Sequence, residues 1–202
     1  MFIRKEGLPF IGISALISII LFVTPVSVLG LIPLIFVTWF FRDPYRTIPK
    51  GDGLILSPAD GTILEVTGTT EEKVGSCTKV SIFMSVFNVH VNRSPVDGTI
   101  IAKHYQPGKF HMANLGKKTE ANERMILYIK NDMGIFRLDQ VAGLVARRII
   151  CWPEVGDQLQ AGQKIGLIRF GSLLECYIPD SITVVARQKD RTSAGQTILG
   201  RS

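Results

Sequence analysis

Apolar and polar positions along the chain fall into two regimes. Residues 7–41 contain no charge at all, while basic residues stand on both sides: Arg4 and Lys5 before, Arg42, Arg46 and Lys50 after. Pro25, Gly30 and Pro33 interrupt this apolar stretch. They leave arms at 10–23 and 28–41, each spanning roughly 21 Å as helix, short of the roughly 30 Å hydrocarbon core. A single kinked span and a helical hairpin that dips in and returns both fit, and basic flanks at both ends favour a hairpin with both ends on the cytoplasmic side. Trp39 and the nearby phenylalanines suit the interface. The stretch is too long for a secretory signal and no small-residue cleavage site ends it. A buried pair of core helices is the plain structural alternative.

Beyond Lys50 the pattern changes. Runs rich in Val, Ile and Thr, at 61–66, 79–83, 98–103, 125–130 and 164–170, alternate with Gly, Pro, Asp and Asn turns, as in a mainly β domain of many hairpins. Residues 137–147 are ambiguous. The expected organisation is a membrane-anchoring segment over 1–50 and a β-rich catalytic domain over 51–202. Two pieces echo each other, SPADGTI from Ser57 and SPVDGTI from Ser94, each with an Asp-Gly turn entering a strand. The stretch 155–168, with two glycine turns around a short strand, is similar to the hairpins of barrel-sandwich hybrid domains. The fold expected is therefore mainly β, an α+β arrangement of a barrel-sandwich-hybrid-like domain with an N-terminal hydrophobic helical membrane element. The polar tail from Arg187 reads as exposed.

Charge and composition refine this picture. The chain has 202 residues, 46% of them hydrophobic, and a net charge of +6. Beside an apolar segment, that excess of positive charge points to an anionic phospholipid surface, and no nucleic acid partner is expected. Three cysteines with no CxxC spacing argue against a disulfide framework or a zinc site and read as reduced small hydrophobes. No HExxH, Walker loop, GxGxxG or GxSxG occurs, which weakens metalloenzyme, nucleotide-binding and hydrolase readings, and no metal is expected. A less common constellation remains. Gly171-Ser172 follows a predicted strand, His90 lies in FNVHVNRSPVDG, and Asp60 lies in SPADG. A serine hydroxyl can attack the unhindered glycine carbonyl before it if a base takes its proton; His90 is the candidate base and Asp60 a candidate to orient it. Each residue also has a plain reading: a turn serine, a core histidine, a turn aspartate.

In their order, FFRDPYR (from Phe40), SPADG, FNVHVNRSPVDG, PGKF (from Pro107), NER (from Asn122), QVAG (from Gln140), ARRI (from Ala146) and FGS (from Phe170) resemble the short bacterial and archaeal form of the phosphatidylserine decarboxylases. The resemblance implies a lyase that matures itself. Ser172 would attack the Gly171 carbonyl. The resulting ester would eliminate, and residue 172 would become a covalent pyruvoyl group, the pyruvate cofactor. Large and small chains would stay associated as a heterodimer, with the state of higher assembly left open. The pyruvoyl carbonyl would form a Schiff base with phosphatidylserine and act as electron sink, yielding phosphatidylethanolamine and CO2. His90 would be a proton donor, since imidazole titrates near about 6.5. Arg147, Arg148, Lys109 and Arg124 are candidate lipid-phosphate ligands, and His111, beside PGKF, a candidate for the headgroup pocket; His104, on its other side, reads as a loop histidine. The basic flanks of the apolar segment lead to an expected location on the cytoplasmic face of the cell membrane. Two positions depart from the family pattern: Phe87 stands where longer members carry a second histidine, and Leu173 where an arginine is usual. An ether-linked serine lipid as substrate, a non-catalytic membrane-tethered binding module and a zinc peptidase are the competing readings.

Overall fold

The computed structural model describes residues 2–22, 27–108, 121–143, 148–169 and 172–202. The chain forms two compact units, Met1–Tyr45 and Arg46–Ser202.

In the first unit, a short strand β1 (Phe2–Ile3) leads into helix α1 (Leu8–Leu21), followed by α2 (Ser27–Phe40) and strand β2 (Arg42–Asp43). Each helix has 14 residues. Antiparallel pairing of Phe2 with Asp43 and of Ile3 with Arg42 brings the two ends together, so the pair is a hairpin rather than one kinked rod. The helices touch where side chains are small: Ser18 Oγ donates to the Gly30 carbonyl at 2.7 Å, and a Cβ on Gly30 would lie 3.0 Å from Ser18 Cα. Pro33 sits inside α2. Among the described residues no helix is long and apolar enough to cross a membrane.

The second unit is mainly β. Its strands are β3 (Leu54–Leu56), β4 (Gly61–Glu71), β5 (Gly75–Met84), β6 (Val91–Arg93), β7 (Gly98–Gln106), β8 (Arg124–Asn131) and β9 (Gly134–Ala142). They continue as β10 (Ile149–Cys151), β11 (Gln158–Leu159), β12 (Lys164–Ile168), β13 (Ser172–Pro179), β14 (Thr183–Val184), β15 (Arg191–Thr192) and β16 (Ile198–Arg201). A curled eight-stranded sheet has the order β11-β7-β8-β9-β13-β5-β4-β15, and two three-stranded sheets, β10-β12-β6 and β14-β16-β3, complete the unit. Alternation of side chains places Val80, Ile82, Met84, Leu127, Ile129, Phe136, Leu138, Leu174 and Cys176 on the inner face, where all are fully buried. The strand runs expected at 61–66, 79–83, 98–103 and 125–130 are present, and that expected at 164–170 is a strand over Lys164–Ile168, with residue 170 outside the described residues. Of the ambiguous stretch at 137–147, residues 137–142 belong to β9, and 144–147 lie outside the described residues.

The tail from Arg187 is not a loose end. Strand β15 pairs with β4, β16 pairs with β3, and Ala194 and Leu199 are buried. Its polar sequence reflects short strands joined by turns.

The two echoing segments are related by a local pseudo-two-fold. Ser57 Oγ donates to the Ala59 carbonyl at 2.8 Å, and Ser94 Oγ to the Val96 carbonyl at 2.7 Å. Leu56 N–H donates to Pro95 and Arg93 N–H to Pro58, each at 2.9 Å. Each segment also receives its own Ala-Gly-Gln turn. Gly195 N–H bonds the Ser57 carbonyl and Gly162 N–H the Ser94 carbonyl. Both glycines have a positive φ, +72° and +77°, which a side chain would strain. Finally, Asp60 Oδ1 accepts from Ala194 N–H and Asp97 Oδ1 from Ala161 N–H, both at 2.7 Å.

Candidate active site

The register of the sheets places the candidate residues. Ser172, the first residue of β13, lies between Met84 at the end of β5 and Ala142 at the end of β9. On the small sheet, Ile168 at the end of β12 faces Ile149 of β10, and Leu167 faces Val91 of β6. Three connections therefore join neighbouring strands of the large sheet to neighbouring strands of the small one: 85–90, 169–171 and 143–148. The bond joining positions 171 and 172 belongs to the middle one, His90 ends one flanking connection, and Arg148 ends the other. A fourth connection, 57–60, joins β3 to β4 beyond the His90 side, tied to β6 by the Arg93–Pro58 hydrogen bond. Asp60 thus directly precedes β4, His90 directly precedes β6, and Ser172 opens β13.

Ser172 is fully buried, on the inner face of its strand, and its Oγ has no hydrogen-bond partner among the described residues. Leaving a buried hydroxyl unsatisfied costs about 1–3 kcal/mol, so such a group calls for a functional reason. The partner strands are themselves fixed: Asn122, fully buried, donates Nδ2–H to the Ala142 carbonyl at 2.8 Å, and Ala142 N–H donates to Glu123.

His90 is buried, and its Nδ1 lies 3.0 Å from the Asn88 carbonyl. A carbonyl only accepts, so Nδ1 carries the proton and Nε2 is the basic nitrogen of the neutral ring. Asn88 is held in turn: its Oδ1 accepts from Ser85 N–H at 2.9 Å and Ser85 Oγ–H at 2.8 Å. Asp60 is 9% exposed, with its carboxylate shared between Ala194 N–H and Arg46, whose Nη2 lies 2.7 Å from Oδ2. Arg46 Nη1 also donates to Gln196 Oε1 at 2.9 Å. The group at His90 Nδ1 is therefore the Asn88 carbonyl, while Asp60 pairs with Arg46. Arg46 was not among the residues singled out from sequence, although it closes the FFRDPYR motif.

Arg124 is buried on the outer face of β8, within 3.0 Å of Asp139 and 3.4 Å of Glu175. Arg137 adds a 2.6 Å contact to Asp139 and a 3.2 Å contact to Glu71. Burial and the neighbouring Asp139 push the Glu175 carboxyl above its ordinary range, against the pull of Arg124, Lys79 and Arg137. Arg148 is exposed. Gly171, Arg147, Lys109 and His111 lie outside the described residues, while His104 lies on β7 rather than in a loop. Leu173 has a packing role: with Val141, Leu64 and Phe83 it forms an apolar cluster on the outer face. Phe87 is 70% exposed on the His90 connection. The cysteines are free. Burial raises the Cys176 thiol to about 12 and the Cys151 thiol to about 11, too high for a thiolate nucleophile at neutral pH. Among the described residues, no group of three His, Cys, Asp or Glu could hold a metal ion. A groove of about 570 Å³, bordered by Thr99, Lys130 and Gln158, lies at the opposite end of the sheet from Ser172.

The family model described as phosphatidylserine decarboxylase matches residues 34–200. The chain belongs to the phosphatidylserine decarboxylase family. Among curated family members, the phosphatidylserine decarboxylase proenzyme of Symbiobacterium thermophilum is 49% identical over 205 residues, covering 98% of this chain and 95% of its own length. Those of Trichlorobacter lovleyi and Geotalea uraniireducens are each 42% identical, covering 98% of this chain and 96% and 95% of their own lengths. Membership in a decarboxylase family makes this chain an enzyme rather than a binding module. The word proenzyme in those names describes relatives that are made as precursors.

Proposed function

We propose that this chain decarboxylates phosphatidylserine to phosphatidylethanolamine after cutting itself between Gly171 and Ser172. The observation that carries the reading is the Ser172 hydroxyl, buried at the head of β13 without a partner among the described residues, one connection away from a histidine whose basic nitrogen is Nε2. Ser172 Oγ gives its proton to His90 Nε2 and adds to the carbonyl carbon of residue 171. The peptide C–N bond breaks, the nitrogen takes a proton, and an ester joins the two segments. Loss of the Ser172 α-proton expels the carboxylate of residue 171. Hydrolysis of the dehydroalanine left behind then releases ammonia.

Conversion of residue 172 to a ketone removes a hydroxyl that is buried and has no hydrogen-bond partner among the described residues. When formed, a pyruvoyl group at residue 172 supplies the electron sink for loss of CO2. This chain's own part is to exclude water, to hold strand β13 from both sides, and to return a proton from His90 to the substrate carbon. Arg148, with Arg147, Lys109 and His111, is placed in the reading as headgroup ligand. Large and small chains stay together because β13 pairs with both β5 and β9, β15 with β4, and β16 with β3.

The pseudo-two-fold and the two Asp-Gly turns that pass from one sheet to another support a barrel-sandwich-hybrid fold. The helical hairpin of the first unit is read as an anchor dipping into the cytoplasmic leaflet of the cell membrane. Its helices expose Leu8, Ile19, Ile20, Val28 and Ile35 by 58–69%, and Arg42 stacks over Trp39 at 4.0 Å where the hairpin ends.

Intact-mass analysis of wild type beside Ser172→Ala tests the reading. Wild type gives two chains, the smaller beginning with a pyruvoyl group and therefore refractory to Edman sequencing, and Ser172→Ala gives one. One full-length mass in both ends it.

A further inference from the structure

A second buried polar atom beside Ser172 also lacks a partner. Gln140 of β9 is fully buried, and its Oε1 has no hydrogen-bond partner among the described residues. Ser172 pairs with Ala142 and Leu174 with Gln140, so Gln140 and Ser172 lie on neighbouring strands, on the same inner face, one step apart along the diagonal. The two unsatisfied groups are chemically complementary: a hydroxyl that can donate and a carbonyl oxygen that only accepts.

The orientation of the Gln140 amide is set from behind. Gln140 Nε2 donates to Asn92 Oδ1 at 2.8 Å, and Asn92 Nδ2 donates to Met84 Sδ at 3.4 Å. Asn92 is fully buried on β6, and Met84 faces Ser172 across β5. Facing Asn92 on β12 is Gly166, where a Cβ would collide first with the Ile150 carbonyl oxygen of β10 and would also stand 2.9 Å from Gln140 Nε2. A buried amide pair, spanning two sheets beside the reacting serine, costs more than two apolar side chains of the same volume unless its free oxygen is used.

We infer that Gln140, aligned by Asn92, is a positioning residue whose Oε1 accepts the Ser172 hydroxyl and holds Oγ in the rotamer that attacks the preceding carbonyl. The inference rests on the self-cleavage proposed above. Gln140 takes no proton; that step belongs to His90.

The test follows self-cleavage by time-resolved intact mass after cell-free synthesis of the full chain, with thermal melting of the same variants in a Ser172→Ala background. Gln140→Leu keeps the volume and removes the acceptor. It is expected to cleave roughly tenfold or more slowly, the rate equivalent of a lost buried hydrogen bond, with a modest fall in melting temperature because Asn92 Oδ1 loses its donor. Gln140→Glu supplies a readout that a merely structural residue would not move. Buried beside the Asn92 carbonyl oxygen, the new carboxyl is held neutral at low pH, when it can donate to Asn92 and still accept from Ser172. Its cleavage rate relative to wild type should be highest at low pH and decline as pH rises. Cleavage of Gln140→Leu at the wild-type rate overturns the inference, and so does a Gln140→Glu to wild-type ratio that is flat with pH. An uncut wild type overturns self-cleavage itself and this inference with it, whereas a cut wild type beside an equally fast Gln140→Leu removes only the role given to Gln140.

Discussion

Asp60 and Asp97 are equivalent positions in the two halves of the second unit, and this gives an internal control on the catalytic reading of Asp60. Each accepts one backbone N–H at 2.7 Å from an Ala-Gly-Gln turn. Only Asp60 also pairs with an arginine, at 2.7 Å, and only Asp60 neighbours the His90 connection. A hydrogen bond to a charged acceptor contributes about 1.5–3 kcal/mol, and Asp97 is exposed, so Asp97→Ala should cost about 1 kcal/mol. Asp60→Ala loses the equivalent bond in a buried setting and strands Arg46, whose side chain is 14% exposed and keeps only Gln196. Breaking a buried pair costs about 3–5 kcal/mol, and the residual exposure and the Gln196 contact put this case near about 3 kcal/mol. At roughly 3 °C per kcal/mol for a chain of this size, melting should fall by about 3 °C for Asp97→Ala and about 9 °C for Asp60→Ala. Both measurements belong in the Ser172→Ala background, so that every sample is one uncut chain. Self-cleavage is then followed with Ser172 restored, well below either melting temperature. Asp97→Ala should cleave like wild type and Asp60→Ala much more slowly. Equal thermal losses would refute the Arg46 pairing, and normal cleavage of Asp60→Ala would reduce Asp60 to the turn-closing role that Asp97 already fills.

Two further outcomes follow from the same geometry. Asn122→Ala removes the bond that fixes Ala142 opposite Ser172; it should cost about 1–3 kcal/mol by thermal melting and slow cleavage, and unchanged cleavage would show that this anchor does not reach the serine. Glu175 binds its proton more readily folded than unfolded, so its contribution to stability is largest below the unfolded value near about 4.3 and is lost as pH rises through the folded one. Glu175→Gln should therefore gain melting temperature relative to wild type between acid and neutral pH, and a difference that moves the other way would show that Arg124 and Lys79 outweigh burial.

The β runs were legible because edge and hairpin strands alternate apolar with polar residues. Strand β9 was not, because both its faces are covered. Asp139 is buried in ion pairs on one face and Gln140 in the amide pair on the other, so two adjacent polar residues interrupt a strand with no exposed side to mark its period. The tail was misread for a related reason: Thr192, Ala194 and Leu199 are its anchors, too few to outweigh Arg187, Gln188, Lys189 and Asp190 around them. At the site, Ser172 and His90 were visible because their chemistry is individually reactive. Asn92, Asn122 and Gln140 are unreactive amides whose only sign in the sequence was their place inside NVHVNRSP, NER and QVAG. Arg46 could be seen only through an ion pair made with a residue elsewhere in sequence, which no local pattern records.

The duplicated architecture bears on what a cut at residue 171 would do. One Ala-Gly-Gln turn, at Ala161, stays on the same fragment as its aspartate, Asp97; the other, at Ala194, departs on the opposite fragment from Asp60. Severing the backbone would thus turn one of two matching intramolecular clasps into a bond between separate polypeptides. The released piece brings a strand already flanked on both edges in the middle of a sheet, so the halves would behave as complementing fragments locked together from the moment they are made.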